Sequence, residues 1–466
     1  MFRKVLIANR GEIAVRIART LREMGIPSVA IYSDADAGAM HVEVADEAYP
    51  LGPPMPAQSY LNQDRIFEIA READVEAIHP GYGFLSENAA FARRAAAEGV
   101  VFIGPPPDAI EAMGSKIAAR RAARAAGVPI VPGTEDPLSD VSEIAAVAGE
   151  LGYPVAIKAA AGGGGYGMRV ANGPEDIEAT LEGVRRDAGR AFGDTTVYIE
   201  KFFSPAPRHV EIQVIGDRFG TVVHLGEREC SLQRRFQKIV EETPSPAVGE
   251  ELRQRMGEAA VALSRHMGYQ SAGTIECLVS EGEFYFLEMN TRLQVEHPVT
   301  EEVTGVDIVR EMVRIAAGLP LSIPEQGIRP RGHAIEARIY AEDPARNFMP
   351  SPGQITRLDI PELPNLRVDT GARAGTNVTV YYDPMIAKLI AWGEDRAAAI
   401  QTMRGALKGI TVEGVKTNIP FLQRILAGED FTAGRIHTRY VDERLAEIMA
   451  GQKPRPRPDL LLQYRR

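Results

Sequence analysis

The sequence predicts a multidomain chain of α/β and α+β character. An open parallel, Rossmann-like α/β domain comes first, then a central domain with a mobile lid, then a mostly antiparallel β domain. Three observations predict it. Lys4 to Tyr32 reads strand, helix, strand; a glycine run at Gly162 to Gly165 stands between two apolar strands; and from His333 onward apolar and polar residues alternate through short segments.

At 466 residues the chain has room for two to three domains, each with its own core. Charged residues at 25% and hydrophobic ones at 45% are ordinary for a soluble globular protein. The net charge of −10 argues against a nucleic-acid-binding surface. Cys230 and Cys277 are the only cysteines, too few for a structural zinc site, and read as buried small residues in a reducing compartment. Met1 to Arg10 lacks the order of a signal peptide, and no apolar run approaches the roughly 18 residues of a membrane span, so a cytoplasmic protein without a membrane partner is expected.

Lys4 to Ala8 is a short buried strand, Glu12 to Met24 an amphipathic helix and Ser28 to Tyr32 a second strand, the βαβ unit of a parallel sheet. The three glycines of a dinucleotide fingerprint are missing, which argues against NAD. Arg19 and Glu23, four apart on the helix, read as a surface pair. A helix from Gln63 to Glu72 leads to the strand Ala77 to His79 and the loop Pro80-Gly81-Tyr82-Gly83-Phe84-Leu85-Ser86-Glu87. Such a loop lies where ligands meet an open sheet, although two glycines alone fit a plain βα turn equally well. His79 reads as structural. Gly104 to Pro107 closes the first domain, and Lys116 starts a helix ending near Gly127, where a lone lysine is ordinarily solvated.

Tyr153 to Lys158 is a strand that delivers a lysine directly before Gly162-Gly163-Gly164-Gly165-Tyr166-Gly167. Without side chains in the way, that loop can wrap a triphosphate and donate N–H groups while Lys158 supplies a point charge. No Gly-Lys-Ser/Thr follows, so it is not a P-loop. A linker is the plain alternative, but the apolar strands on both sides, the second with Met168, favour a hinged lid. Val197 to Phe203 begins as a strand and carries Glu200, Lys201, Phe202 and Phe203. His209 to Val214 alternates, the mark of a half-buried strand. Cys230 to Lys238, with Gln233, Phe236 and Lys238, reads as a basic edge strand, and such strands are solvated more often than they bind anions.

Thr274 to Val279 and Phe284 to Leu287 read as the two strands of a hairpin turning at Ser280 to Glu283, which sets Glu276 within about one residue of opposite Glu288. Two facing carboxylates repel unless a cation sits between them. Glu276, Glu288 and the carbonyl of Asn290 are hard oxygen donors suited to Mg²⁺, with phosphate oxygens completing the shell; a solvated polar face is the alternative. Continued as an extended chain, Glu288, Asn290, Arg292, Gln294 and Glu296 all point to one face. After the Pro324 to Pro330 linker come His333 to Ile339, Gly353 to Leu358, Leu366 to Val368, Asn377 to Val380 and Leu389 to Ala391 as an antiparallel meander, then a helix from Arg396 to Lys408. A Pro/Arg-rich tail ends the chain.

The stretch Glu288-Met-Asn-Thr-Arg-Leu-Gln-Val-Glu-His297, with the octet at Pro80, resembles the biotin carboxylase family of ATP-grasp ligases, from about Arg3 to Glu447. The resemblance implies residues 1–114 as an N-terminal domain, 115–330 as an ATP-grasp domain with its lid at about 131–203, 331–447 as a C-terminal domain and 448–466 as a tail. It implies a ligase that carboxylates biotin with ATP and bicarbonate through carboxyphosphate, using Mg²⁺ or Mn²⁺ at Glu276, Glu288 and Asn290. ATP contacts are implied for Lys116, Lys158, Gly163, Gly164, Gly165, Tyr166, Met168, Glu200, Lys201, Phe202, Phe203, His209, Gln233, Phe236, Leu278, Glu276 and Glu288. Lys238, Arg292, Gln294 and Val295 match the bicarbonate side, Glu296 the base, and Tyr82 and Arg338 the biotin side, with Arg338 stabilising the enolate.

Arg19 and Glu23 match dimer contacts, so a homodimer is implied. No Ala/Val-Met-Lys-Met attachment site is found, so a separate biotin carboxyl carrier protein and carboxyltransferase subunits are the expected partners. Acetyl-CoA for fatty acid biosynthesis, another acyl-CoA or pyruvate remain open as final acceptors. A fragment of a longer carboxylase, or a ligase acting on a free small molecule such as urea, are the alternatives. Two departures stand out: Tyr166 where the family's lid carries Arg or Lys, and Phe236 where it carries His.

Overall fold

The computed structural model describes residues 1–134, 137–138, 140–159, 167–193 and 195–450. Gly163, Gly164, Gly165 and Tyr166, together with the tail from Gly451, lie outside the described residues.

The N-terminal region is a five-stranded parallel sheet in the order Glu47–Gly52, Ser28–Ser33, Val5–Ile7, Ala77–His79, Val101–Phe102. The helix Gly11–Glu23 buries Ile13, Ile17 and Leu21, spaced four apart on one stripe, against a core shared with Val309, Met312 and Val313. His79 is fully buried, its Nδ1 accepting from the Gly81 N–H at 3.0 Å, and burial pushes it down to about 3. Arg19 and Glu23 do not pair with each other. Arg19 bonds Asp369 at 3.0 Å and Glu23 accepts from Arg310 at 3.0 Å, because this helix face meets the rest of the chain and partners from distant segments outcompete the i,i+4 neighbour.

Behind it lies an eight-stranded antiparallel sheet in the order Glu283–Asn290, Ser271–Ser280, Arg208–Gly216, Val222–Arg234, Gln237–Thr243, His333–Tyr340, Met385–Gly393, Leu366–Thr370. It runs without interruption from the strands before the Pro324 to Pro330 segment into those after it. Two expectations change here. The Cys230 to Lys238 stretch is a central hairpin rather than an edge, and the strand Arg208–Gly216 is buried along nearly its whole length rather than half-buried. Its alternation is real, but the polar face is covered by other charged side chains instead of water. The later strands do not form one meander either: Gly353–Gln354 pairs with Asn377–Val378 and Arg357–Asp359 with Thr411–Glu413 as separate pairs, while Leu366–Thr370 and Met385–Gly393 extend the large sheet.

A three-stranded antiparallel sheet, Met168–Ala171, Val155–Ala159, Val197–Lys201, stands apart under the helices Val141–Leu151 and Ile177–Phe192 with its own core around Val155, Ile157, Leu181 and Val184. Both cysteines are buried and unbridged. Among the described residues no helix is long and apolar enough to cross a membrane.

Candidate active site

The hairpin Ser271–Ser280/Glu283–Asn290 turns through Glu281 and Gly282, both left-handed at φ 53° and 80°, the pair of values a two-residue turn needs to keep the strands' twist. That turn sets the register as far as Cys277 opposite Phe286; a bulge at Leu287 then shifts it by one residue and places Glu288 opposite Glu276. Glu276 in turn pairs with Glu211, and Glu211 with Arg228, so one row of charged side chains crosses four neighbouring strands on one face.

That face is one wall of a cleft of about 1080 Å³, closed on its other sides by the Tyr82 loop, the three-stranded lid sheet and the strand His333–Tyr340. All the expected site residues among the described ones border it. The chain is not extended beyond Asn290, however. Arg292 to Val295 form a loop and Glu296 caps the helix His297–Thr304, yet Arg292 still donates to Asn290 Oδ1 and Gln294 Oε1 at 2.9 Å each.

Lys238 is the hub. Its ammonium reaches Glu211 at 2.5 Å, Glu296 at 2.6 Å and Glu276 at 2.9 Å. Burial opposes its charge, but the three carboxylates win and hold it well above the usual lysine value. Glu296 is fully buried, and burial works against its ionised form; Lys238 and Arg338, the latter at 2.9 Å, outweigh that and hold it well below the carboxylate range. Arg338 is itself held by Glu241 at 2.5 Å. Glu241, pushed by burial up to about 7, faces Glu336 across the strand pair, and burial pushes Glu336 well above the ordinary value.

Glu276, Glu288 and Asn290 fit a divalent cation. They are hard donors on one hairpin, and burial plus the neighbouring Glu276 push Glu288 upward, while no hydrogen bond or ion pair closes on Glu288 among the described residues. His209 lies 3.0 Å from Glu276; burial disfavours its charge, but Glu276 raises it. The Gln233 amide donates to the Cys230 carbonyl at 3.3 Å.

On the lid side Lys158 bonds Glu200, which also receives Arg120. Burial and Lys158 lower Lys116. The Lys201 ammonium donates to the carbonyls of Gly152 at 2.7 Å and Leu151 at 3.2 Å, tying down a helix end. Phe203 packs on Tyr285 and Phe202 lies under Arg439. Phe236 sits at a hairpin tip in the left-handed region, φ 67°, and is 57% exposed at the cleft mouth.

Sequence reasoning missed Glu211, Arg120, Glu12, Lys388 and Glu87 as site residues. Glu211 stands in the polar phase of an alternating strand, which is a usable signal. The Lys388 ammonium, fully buried, reaches Glu12 and the Val295 carbonyl at 2.8 Å each with no local pattern to announce it, while Glu87 closes the loop already expected near ligands but its partner, Arg292, lies 205 residues away.

Residues 1–110 match the family model of the biotin carboxylase N-terminal domain, 115–324 that of the carbamoyl-phosphate synthase L chain ATP-binding domain, and 336–443 that of the biotin carboxylase C-terminal domain. A biotin carboxylase of Halalkalibacterium halodurans is 51% identical over 97% of this chain and its own whole length. The chain belongs to the biotin carboxylase family. A pyruvate carboxylase subunit of Methanothermobacter thermautotrophicus is 52% identical over 95% of the chain and 90% of its own. The biotin carboxylase domain dimer of Hydrogenobacter thermophilus 2-oxoglutarate carboxylase, solved with MgADP, ADP and bicarbonate, superposes with a TM-score of 0.90 at 47% identity, covering 96% of this chain and 99% of that one. The Campylobacter jejuni biotin carboxylase in complex with β-γ-ATP gives 0.91 at 44%, covering 95% and 99%.

Proposed function

We propose that the chain is the ATP-dependent ligase that carboxylates biotin with bicarbonate. The observation that carries this reading is the buried Glu296 carboxylate gripped between Lys238 and Arg338, beside Arg292 and the Glu276/Glu288 pair. That is a base, two anion-binding cations and a metal-suited acid pair within one cleft.

Bicarbonate binds Lys238, Arg292 and Gln294. By drawing the Lys238 ammonium toward itself, the anion weakens the ion pair that holds Glu296 low, and Glu296 gains the basicity to take the bicarbonate proton. The freed oxygen attacks the γ-phosphorus of ATP, the bond to ADP breaks, and carboxyphosphate forms. Glu276, Glu288 and Asn290 would hold Mg²⁺ or Mn²⁺, which neutralises phosphate charge. Lys116 and Lys158 face the phosphates, and Glu200, Phe203, His209 and Leu278 the nucleoside. Carboxyphosphate releases CO₂ and phosphate; the phosphate takes the proton from biotin N1. Arg338 stabilises the enolate oxygen, and N1 attacks CO₂. Closure of the lid excludes water from the intermediate.

Domains at 1–114, 115–330 and 331–447, a homodimer, a cytoplasmic setting, and a separate biotinylated carrier with carboxyltransferase subunits complete the proposal. The similarity to a pyruvate carboxylase component favours pyruvate as the second reading for the final acceptor. The test is ATP hydrolysis with and without bicarbonate and free biotin. Hydrolysis that needs bicarbonate and rises with biotin is expected; hydrolysis indifferent to biotin would move the assignment to a small-molecule ligase.

A further inference from the structure

Arg292 is held on every side. Its Nη1 donates to Gln294 Oε1 at 2.9 Å and to the Leu293 carbonyl at 3.3 Å, and its Nη2 to Asn290 Oδ1 at 2.9 Å. These partners belong to its own segment and turn with it. The remaining nitrogen, Nε, donates at 2.8 Å to Oε2 of Glu87, at the end of the loop that carries Tyr82 in the N-terminal region. The other oxygen of the same carboxylate accepts the Thr291 backbone N–H at 3.1 Å. One side chain therefore fixes both the guanidinium and the backbone that leads into it.

The loop is built to hold that carboxylate still. Gly81, Gly83 and Phe84 are all left-handed, at φ 64°, 70° and 42°, and the Ser86 N–H closes a turn on the Gly83 carbonyl at 2.9 Å. Directly after Glu87, Asn88 caps the helix Ala89–Ala97, its side chain accepting from the Phe91 N–H at 2.8 Å. The carboxylate projects from a clamped turn, not from a free strand of chain.

We infer that Glu87 is a positioning residue for bicarbonate: it orients Arg292 across the boundary between the N-terminal region and the large sheet, leaving the two Nη groups to organise the anion side of the cleft. This rests on the carboxylation reading above. Two opposed directions are at stake. A positioning carboxylate makes bicarbonate bind better; a mere competitor for the arginine makes it bind worse.

The test is Glu87→Gln in the full chain, measured as ATP hydrolysis against bicarbonate concentration, with Mg-ATP affinity determined separately by calorimetry and thermal stability recorded. The Glu87 side chain is 40% exposed, so the expected rise in bicarbonate KM is modest, roughly twofold to fivefold, with Mg-ATP affinity and Tm close to wild type. Glu87→Asp, which keeps the charge but shortens the reach, is expected to recover part of the loss. In the double variant Glu87→Gln/Arg292→Lys the two effects should add up to less than their sum. An unchanged or lower bicarbonate KM, or a loss that follows Tm and Mg-ATP affinity equally in both variants, overturns the inference. If wild type itself shows no bicarbonate-dependent hydrolysis, it is the carboxylation reading that has failed.

Discussion

Two buried charge clusters lie close together in this molecule and differ in their balance. On the far side of the helix Gly11–Glu23, Arg16 binds Glu301 at 2.9 Å and Asp307 at 3.0 Å, while Arg367 binds Glu301 at 2.8 Å and Asp369 at 2.7 Å. Burial works against Glu301 and Asp369, but their arginines hold both low; with Arg19 on Asp369, three arginines there serve Glu301, Asp307 and Asp369, with the half-buried Glu302 at the rim, so charge is nearly matched. In the cleft, Lys238, Arg338 and Arg228 serve Glu211, Glu241, Glu276 and Glu296, with Glu288 and Glu336 beside them, three cations to six acids. Burial pushes Glu211, Glu241, Glu288 and Glu336 up while Glu276 and Glu296 are held down. Burial and charge are common to both clusters, so neither marks function. What separates them is surplus acid: a nearly matched network holds segments together, and an over-acidic one is ready to receive a metal or a proton.

The sharpest way to break this comparison is to remove one carboxylate from each side. Glu296→Gln should leave Mg-ATP binding nearly intact and lower turnover by a factor on the order of 10² to 10⁴, the range for a general base; equal loss of nucleotide affinity in Glu296→Gln and Glu288→Gln would merge the base and metal roles. Glu301→Gln should do the reverse. It takes the shared carboxylate from Arg16 and Arg367, which keep Asp307 and Asp369, so denaturant unfolding should show a loss of about 3 kcal/mol while turnover per folded molecule holds.

A third prediction concerns pH. Burial pushes His41 down to about 4, so it is neutral in the folded chain when an unfolded histidine, titrating near 6.5, has already taken a proton. A group with a depressed folded value of this kind leaves stability whole above about pH 6.5 and removes it as pH falls toward 4, by roughly 3 kcal/mol over the window. His41→Gln should make the fall between those limits shallower in a urea titration, with buried His79 still contributing. An equally steep fall would place the acid sensitivity elsewhere.

The smallest effect is expected at Glu336. Burial, and with it the facing Glu241, push it well above the ordinary carboxylate value, so Glu336→Gln, of the same shape and with no charge to desolvate, should change stability by less than about 1 kcal/mol. A loss as large as that of Glu301→Gln would show that the surplus acid is not surplus.

How much of this was legible depended on the range of the interaction. The Glu276/Glu288 opposition could be read to within one residue because a two-residue turn at Glu281–Gly282 sets the register locally; the bulge beside Glu276 supplies the last step. The Asn290 to Glu296 cluster was readable because its members are two residues apart, even though the chain leaves the strand at Asn290. The burial of Arg208–Gly216 was not, since alternation looks the same whether the polar face meets water or a layer of charge. Nor was the central place of Gln237–Thr243, because its neighbour His333–Tyr340 comes almost a hundred residues later. Arg19 and Glu23 failed for the same reason in reverse: a local rule was overruled by Asp369 and Arg310. Phe236, at the cleft mouth, was visible as a departure, whereas Tyr166 lies outside the described residues.

The central claim is that the over-acidic cluster transfers carbon from bicarbonate to biotin. The direct measurement is incubation of the protein with ¹⁴C-bicarbonate, Mg-ATP and biotin, with wild type and Glu296→Gln side by side. Label in carboxybiotin from wild type, lost with Glu296→Gln while Mg-ATP still binds, is the predicted result. ATP hydrolysis without any label reaching biotin, or equal labelling by both proteins, would contradict it.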